Sequence, residues 1–158
     1  MTLTAHIAIG SAVGLATGNP VAAFLCGWIS HHFADATPHS DPGSFGIGVK
    51  SILSNTKGLK MVFLDIVISI IVFAVFVYKS NYSSLVFLGS FGGVFPDLID
   101  NSPFWSLNIR KYFPFNSLHF LHKTMHYTIK QKKYLWFGVL TQVVLITVSF
   151  CYLFLWWR

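Results

Sequence analysis

From Leu135 to Trp157, 23 consecutive residues carry no charge. At about 1.5 Å per helical residue such a run can cross a hydrocarbon core of about 30 Å, and few soluble folds can hide it. A second run, Met61–Tyr78, is apolar except for Asp65 and Ser69 and would reach about 27 Å as a helix. The composition agrees. Hydrophobic residues make up 54 % of the chain, charged residues 10 %, and the mean hydropathy is +0.61. A soluble domain carries about 25 % charged residues, so this chain lacks the polar groups to cover a water-facing surface. With 158 residues, one integral membrane domain over 1–158 is expected.

The punctuation of the remaining sequence predicts an all-α, polytopic membrane bundle of about four or five spanning helices, with a further histidine-bearing helix near the interface. Residues 4–17 read as a small-residue helix in which Gly10 and Gly14 permit close packing. Gly18-Asn19-Pro20 breaks it, and Pro20 suits the first turn of a second helix over 20–36 that Pro38 ends. Residues 39–60 read as a surface loop with an amphipathic turn at Val49–Leu53. Ser83–Ile99 is a glycine-rich helix, residues 101–118 an aromatic loop, and Leu118–Lys130 the histidine-bearing helix. Trp156-Trp157-Arg158 resembles an interfacial anchor. A weak internal repeat aligns residues 27–38 with 92–103 without a gap, each segment carrying two ligand-type residues three apart and then stopping at a proline.

The net charge of +6 comes from eleven Lys and Arg against five Asp. These cations flank the apolar segments, as membrane-bordering charge does, so nucleic acid is not expected as a partner and membrane lipid is. Lys130, Lys132 and Lys133 place the start of the last helix on the cytoplasmic side. Cys26 and Cys151 read as free buried thiols.

Against this background the acidic residues and histidines are few and grouped. There is no Glu, and every Asp but Asp65 lies in or beside His31-His32-x-x-Asp35, His39-x-Asp41 or Pro96-Asp97-x-x-Asp100. His119, His122 and His126 form a further group at i, i+3 and i+7, one stripe of a helix. Carboxylates and imidazoles are costly inside apolar helices unless a cation compensates them. The expected metal ligands are His6, His31, His32, Asp35, Asp97, Asp100, His119, His122 and His126. His31 and His32 point about 100° apart, and either could reach the site. Mixed imidazole and carboxylate ligands suit Zn²⁺ first, then Mn²⁺ or Fe²⁺, and their number suggests two ions. Asp41 and His39 are the candidate catalytic bases. Asp65 reads as paired or interfacial.

Four stretches of the chain resemble motifs of the membrane-bound metal-dependent hydrolases of bacteria and archaea. Thr4-Ala5-His6-Ile7-Ala8-Ile9-Gly10 is similar to their opening Thr-x-His-x-x-x-Gly. Ser30-His31 with Asp35 and Thr37-Pro38 resembles a second element, and that likeness favours His31 over His32. Pro96-Asp97-Leu98-Ile99-Asp100 resembles a third with one extra residue between the carboxylates, and His122-Lys123-Thr124-Met125-His126 is similar to a histidine-rich fourth. The resemblance implies a helical protein of a prokaryotic cytoplasmic membrane with a His/Asp metal site. The expected function is hydrolysis of a phosphoester or lipid-linked small molecule by metal-activated water. A metal-ion transporter, or a metal-binding membrane protein without catalysis, is the alternative.

Overall fold

Local chemistry sets most of the helix ends. Asn19 Oδ1 accepts from the backbone N–H groups of Val21 and Ala22, with Pro20 in the first turn, and so starts α2 (Pro20–Ala36). The helix before it, α1 (Leu3–Thr17), stops at Gly18, whose φ of 63° is the left-handed conformation glycine adopts freely. Asn55 caps α3 (Thr56–Lys79), which begins five residues before the expected apolar run. Ser83 caps α4 (Ser84–Asp100), which continues through Pro96. A one-turn α5 (Ser106–Ile109) interrupts the aromatic segment, followed by α6 (Phe115–Met125) and α7 (Leu135–Leu155). The structure, a computed structural model, describes residues 1–155, so the Trp156-Trp157-Arg158 anchor lies outside the described residues. Among these the fold is all-α. The one strand-like pairing is an isolated bridge between His39 and Thr128. Val49–Leu53 forms turns without a helix.

Helix α1 is the axis of the bundle, in contact with α2, α3, α4 and α7. Glycines bring three of these backbones together. Gly89 of α4 lies against Gly14 of α1, where a Cβ on Gly89 would stand 2.7 Å from Gly14 Cα. A Cβ on Gly93 would stand 2.6 Å from the His6 carbonyl oxygen. The small-residue pattern of 4–17 therefore lets α1 and α4 pack at backbone contact. Beyond the glycines, Leu15, Val72, Phe76, Val86 and Leu153 fill the end of the bundle remote from the histidines.

Two helices, α3 and α7, are long and apolar enough to cross a membrane. Large apolar side chains cover their outer faces, among them Phe63 at 69 % and Val148 at 61 % exposure. Helix α2 shows a similar stripe at four-residue spacing, Val21, Leu25, Ile29 and Phe33. Helices α1, α2 and α4 have 15, 17 and 17 residues, which makes each about 22–26 Å long.

Asp65 has a defined structural part. From the third turn of α3 its carboxylate accepts the backbone N–H groups of Leu3 at 2.7 Å and Thr4 at 3.0 Å, and the Thr4 hydroxyl at 2.6 Å. It thus caps the N-terminus of α1 across the bundle, satisfying donors that have no partner within that helix. Asp65→Ala is expected to cost about 2–4 kcal/mol, since each orphaned buried donor costs about 1–3 kcal/mol. Asp65→Asn, which keeps an acceptor, should recover about half. Thermal unfolding in detergent measures both, and a midpoint unchanged in Asp65→Ala would remove this role.

Candidate metal centre

The starts of α1, α3 and α7 and the ends of α2 and α4 gather at one end of the bundle, and the His/Asp residues gather there with them. Asp35, in the last turn of α2, is the hub. Its Oδ2 lies 3.2 Å from His31 Nε2 and 3.0 Å from His122 Nε2, and its Oδ1 lies 3.2 Å from His6 Nε2. Asp97 Oδ1, from α4, is 3.6 Å from His122 Nε2, and the His31 and His122 Nε2 atoms are 3.4 Å apart. Four ligands held tetrahedrally at about 2.0–2.1 Å from an ion are separated by about 3.3–3.4 Å. The observed spacings bracket that value. His31, Asp35, Asp97 and His122 therefore form a buried group that could hold a metal ion, and Asp35, His39 and His126 form a second that shares Asp35.

Hydrogen bonds behind the rings fix which nitrogen each histidine offers. His31 Nδ1 lies 2.7 Å from the Gly93 carbonyl and His39 Nδ1 lies 2.9 Å from the Thr37 carbonyl. A carbonyl only accepts, so both Nδ1 atoms carry a proton, and in the neutral form of each ring Nε2 presents its lone pair to the cluster. The Thr128 hydroxyl donates to Asp41 Oδ2 at 3.1 Å and so accepts from His126 Nδ1 at 3.0 Å, which turns a third Nε2 lone pair inward. His122 Nδ1 donates to Asp100 Oδ2 at 3.0 Å. Imidazoles that bind metal typically donate their other N–H to a carbonyl or carboxylate in this way. Lone pairs aimed at carboxylates repel them unless a cation lies between. Here the Met1 amino group supplies one cation, 2.6 Å from Asp35 Oδ1 and 3.4 Å from His126 Nε2.

The histidines at 119–126 are not one helical stripe. Helix α6 ends at Met125, because the backbone N–H of Tyr127 donates to the free Asp35 carbonyl at the end of α2 at 2.8 Å. Ile129 N–H then bonds the His39 carbonyl, which lays residues 127–129 beside the 35–39 segment. His126 accordingly leaves the α6 face and stands beside His39, with ring centroids 4.7 Å apart. His119 turns away from Asp35 to Asp100, with Nδ1 2.9 Å from Oδ1, and stays one-third exposed. Asp100 is occupied by His119, His122 Nδ1 and the Arg110 guanidinium at 2.7 Å, so it braces His122 from behind and does not join the Nε2 cluster.

Of the adjacent pair, His31 faces the cluster. His32 lies in a small apolar pocket with Trp28, Pro96 and Leu118, and neither ring nitrogen has a partner. His6 stacks on His31 at 4.0 Å between centroids, and its nitrogens also lack a hydrogen bond of good geometry. The two repeat segments lie side by side, but aligned positions differ in use: Asp35 is central while its counterpart Asp100 is peripheral.

The segment expected to be a surface loop is buried at its start. His39 and Asp41 are both buried. Asp41 Oδ1 accepts from the Ser44 N–H and starts the turn Pro42–Phe45, while Oδ2 lies 3.2 Å from His39 Nε2 and 3.5 Å from His126 Nε2. Helix α7 anchors this segment: Thr141 donates to the Pro38 carbonyl at 2.6 Å, and Gln142 donates to the Ser40 carbonyl at 2.8 Å while accepting from Thr2 N–H. Neither Thr141, Gln142, Thr128 nor Arg110 carries a motif, so spacing could not mark them. A lone buried Gln in an apolar helix is the one available signal, since such a group must find partners.

Burial disfavours charge on all these groups, and neighbours decide the outcome. For His122, hydrogen bonds to Asp100 and Asp35 outweigh burial and raise the pKa to about 9. For His126, burial and the nearby amino group lower it to about 4, so its Nε2 stays free. Burial would raise Asp41, but the His39 hydrogen bond and the amino group hold it at about 2. The His122 shift has a consequence. Because the folded value exceeds the ordinary 6.5, its ion pairing stabilises metal-free protein fully below about pH 6.5 and is lost as pH rises through about 9. An ion at Nε2 must displace that proton. Apparent metal affinity is therefore expected to rise about tenfold per pH unit from pH 7 to 9 and then level off. His122→Asn should flatten the profile in a metal titration, and a flat wild-type profile would remove His122 from the site.

Compared with known protein families, curated proteins and solved structures, the chain matches none.

Proposed function

We propose that this protein is an integral membrane, metal-dependent hydrolase that cleaves phosphoesters at the cytoplasmic face. One observation carries the reading: the Nε2 atoms of His31, His39 and His126 converge on Asp35, each ring held by a hydrogen bond to its other nitrogen. Such a group could hold a cation, and the resemblance of its motifs to the membrane-bound metal-dependent hydrolases points the same way. His31, Asp35, Asp97 and His122 would hold one ion, with His6 beside them. Asp35, His39 and His126 would hold a second, in place of the Met1 amino group. Zn²⁺ suits this ligand set best.

A bound pair of such ions supplies an activated water and a clamp for the oxygens of a phosphoester. Hydrolysis forms a bond from water oxygen to phosphorus and breaks the ester P–O bond, so one proton must leave the water and one must reach the departing alcohol. Asp41 Oδ2 is placed to take the first. A base this weak suffices where bound metal has already lowered the pKa of the water. His119, on the open side and oriented by Asp100, is placed to give the second.

The bundle would sit with all five long helices in the bilayer, α1, α2 and α4 crossing beside α3 and α7. Nine of the eleven Lys and Arg lie at the site end, seven in the short segments there and Lys57 and Lys60 in the first turns of α3, and Lys79 lies at the other end. That imbalance favours a cytoplasmic site.

Phosphoester turnover by detergent-purified protein tests the reading. Activity should vanish with a chelator and return with Zn²⁺ or Mn²⁺. His119→Asn should lower kcat about 10²–10⁴-fold with metal content unchanged. Metal-independent turnover, or none from fully loaded protein over a broad phosphoester panel, would refute it.

A further inference from the structure

The five carboxylates of this chain are all committed. Four stand in the His/Asp cluster or brace it, and Asp65 caps α1. Among the described residues Arg110 is the one Lys or Arg side chain paired with a carboxylate. Lys57, Lys79 and Lys133 instead lie over aromatic rings. Lys123 and Lys130 have neither kind of partner, and both line an open cleft of about 450 Å³ that leads to His122 and His126. Arg110 lines the same cleft and uses only part of its donor fork on Asp100. Its size falls in the range of small-ligand sites. Two unpaired ammonium groups and a partly free guanidinium at the mouth of an imidazole-lined cleft define a receptor for a compact anion, and phosphate is the anion such donors fit best.

The surroundings say where that phosphate comes from. The segment that carries Arg110 exposes Phe104, Tyr112 and Phe113 at 73, 66 and 81 %. Tyr112, with Trp105 exposed at 43 % in the same segment, is of the kind that settles at headgroup depth. The apolar outer faces of the neighbouring helices would put lipid beside the cleft rather than open water. Resting on the hydrolase reading above, we propose that the cleft binds the phosphate-bearing headgroup of a membrane amphiphile, with Lys123 and Lys130 as the clamp and the apolar remainder left in the cytoplasmic leaflet.

The test uses metal-loaded protein in phosphatidylcholine nanodiscs doped with a non-hydrolysable phosphonate analogue of phosphatidate. Retained lipid is read by native mass spectrometry, with metal content measured on the same samples. The analogue should be retained over phosphatidylcholine. Lys123→Ala/Lys130→Ala should weaken retention roughly tenfold or more, the scale of one charge-assisted hydrogen bond. Lys132→Ala/Lys133→Ala, an equal change of charge outside the cleft, should leave it in place. The proposal is overturned if the first pair has no effect, if both pairs act equally, or if inorganic phosphate or glycerol 3-phosphate competes as strongly as the amphiphile. Metal present without retention defeats the cleft assignment alone. Lysine-dependent retention without metal defeats the hydrolase reading and leaves the cleft standing.

Discussion

Asp35→Asn is expected to abolish metal binding at both groups and all hydrolysis with it. The carboxylate is fully buried, belongs to both sets of ligands, and has imidazole nitrogens 3.0–3.2 Å away on three sides. An amide of the same shape keeps the volume but removes the charge that holds a cation there. The metal-free protein should suffer too. His122 is held protonated partly by Asp35, and removing one partner of a buried charged pair costs about 3–5 kcal/mol. Asp100→Asn makes the informative contrast. It leaves the Nε2 cluster intact and only loosens the bond that orients His122, so metal affinity should fall about 10–100-fold and not vanish. Titrating metal into both purified variants decides the matter. Equal losses would mean that Asp35 is no more central than Asp100.

The second large effect lies away from the site. Gly89→Ala should destabilise the bundle by about 1–2 kcal/mol net and weaken metal binding at a distance. The new Cβ would meet the Gly10 carbonyl oxygen and stand 2.7 Å from Gly14 Cα, both backbone atoms that cannot rotate aside. Overpacking of this kind costs about 1–3 kcal/mol and occasionally more, against a helix-propensity gain of about 1 kcal/mol. Since α1 carries His6 and α4 carries Asp97, prising these helices apart also spreads the ligands. Gly48→Ala is the control, because a Cβ there meets nothing within 4 Å. Unfolding midpoints of the two variants in one detergent should differ by several degrees. Equal midpoints would show that α1 and α4 do not pack as closely as described.

Where the determinants were local, the sequence was readable. Asn19-Pro20, Gly18 and the apolar runs mark helix ends within a few residues of their observed positions, because capping and side-chain periodicity act over one or two turns. The clustering of Asp35, Asp97, His31 and His122 was legible for a related reason: polar groups in apolar helices need partners, and only each other are available. What escaped depends on contacts distant in sequence. His126 leaves the α6 stripe because Tyr127 N–H satisfies a carbonyl of α2, and no helical spacing encodes that. Asp100 stands behind His122 and not among the Nε2 atoms because Arg110, ten residues on, folds back onto it. His39 and Asp41 looked like loop residues, and it is Thr141 and Gln142 of α7, about a hundred residues away, that bury and fix them.

The metal content of detergent-purified protein, prepared without chelators and measured by mass spectrometry, tests the central claim most directly. One or two equivalents of Zn, Mn or Fe per chain are expected, with none in Asp35→Asn prepared alongside. Folded wild-type protein that holds no metal, and takes up none when offered these ions at pH 8, would contradict a metal centre at Asp35.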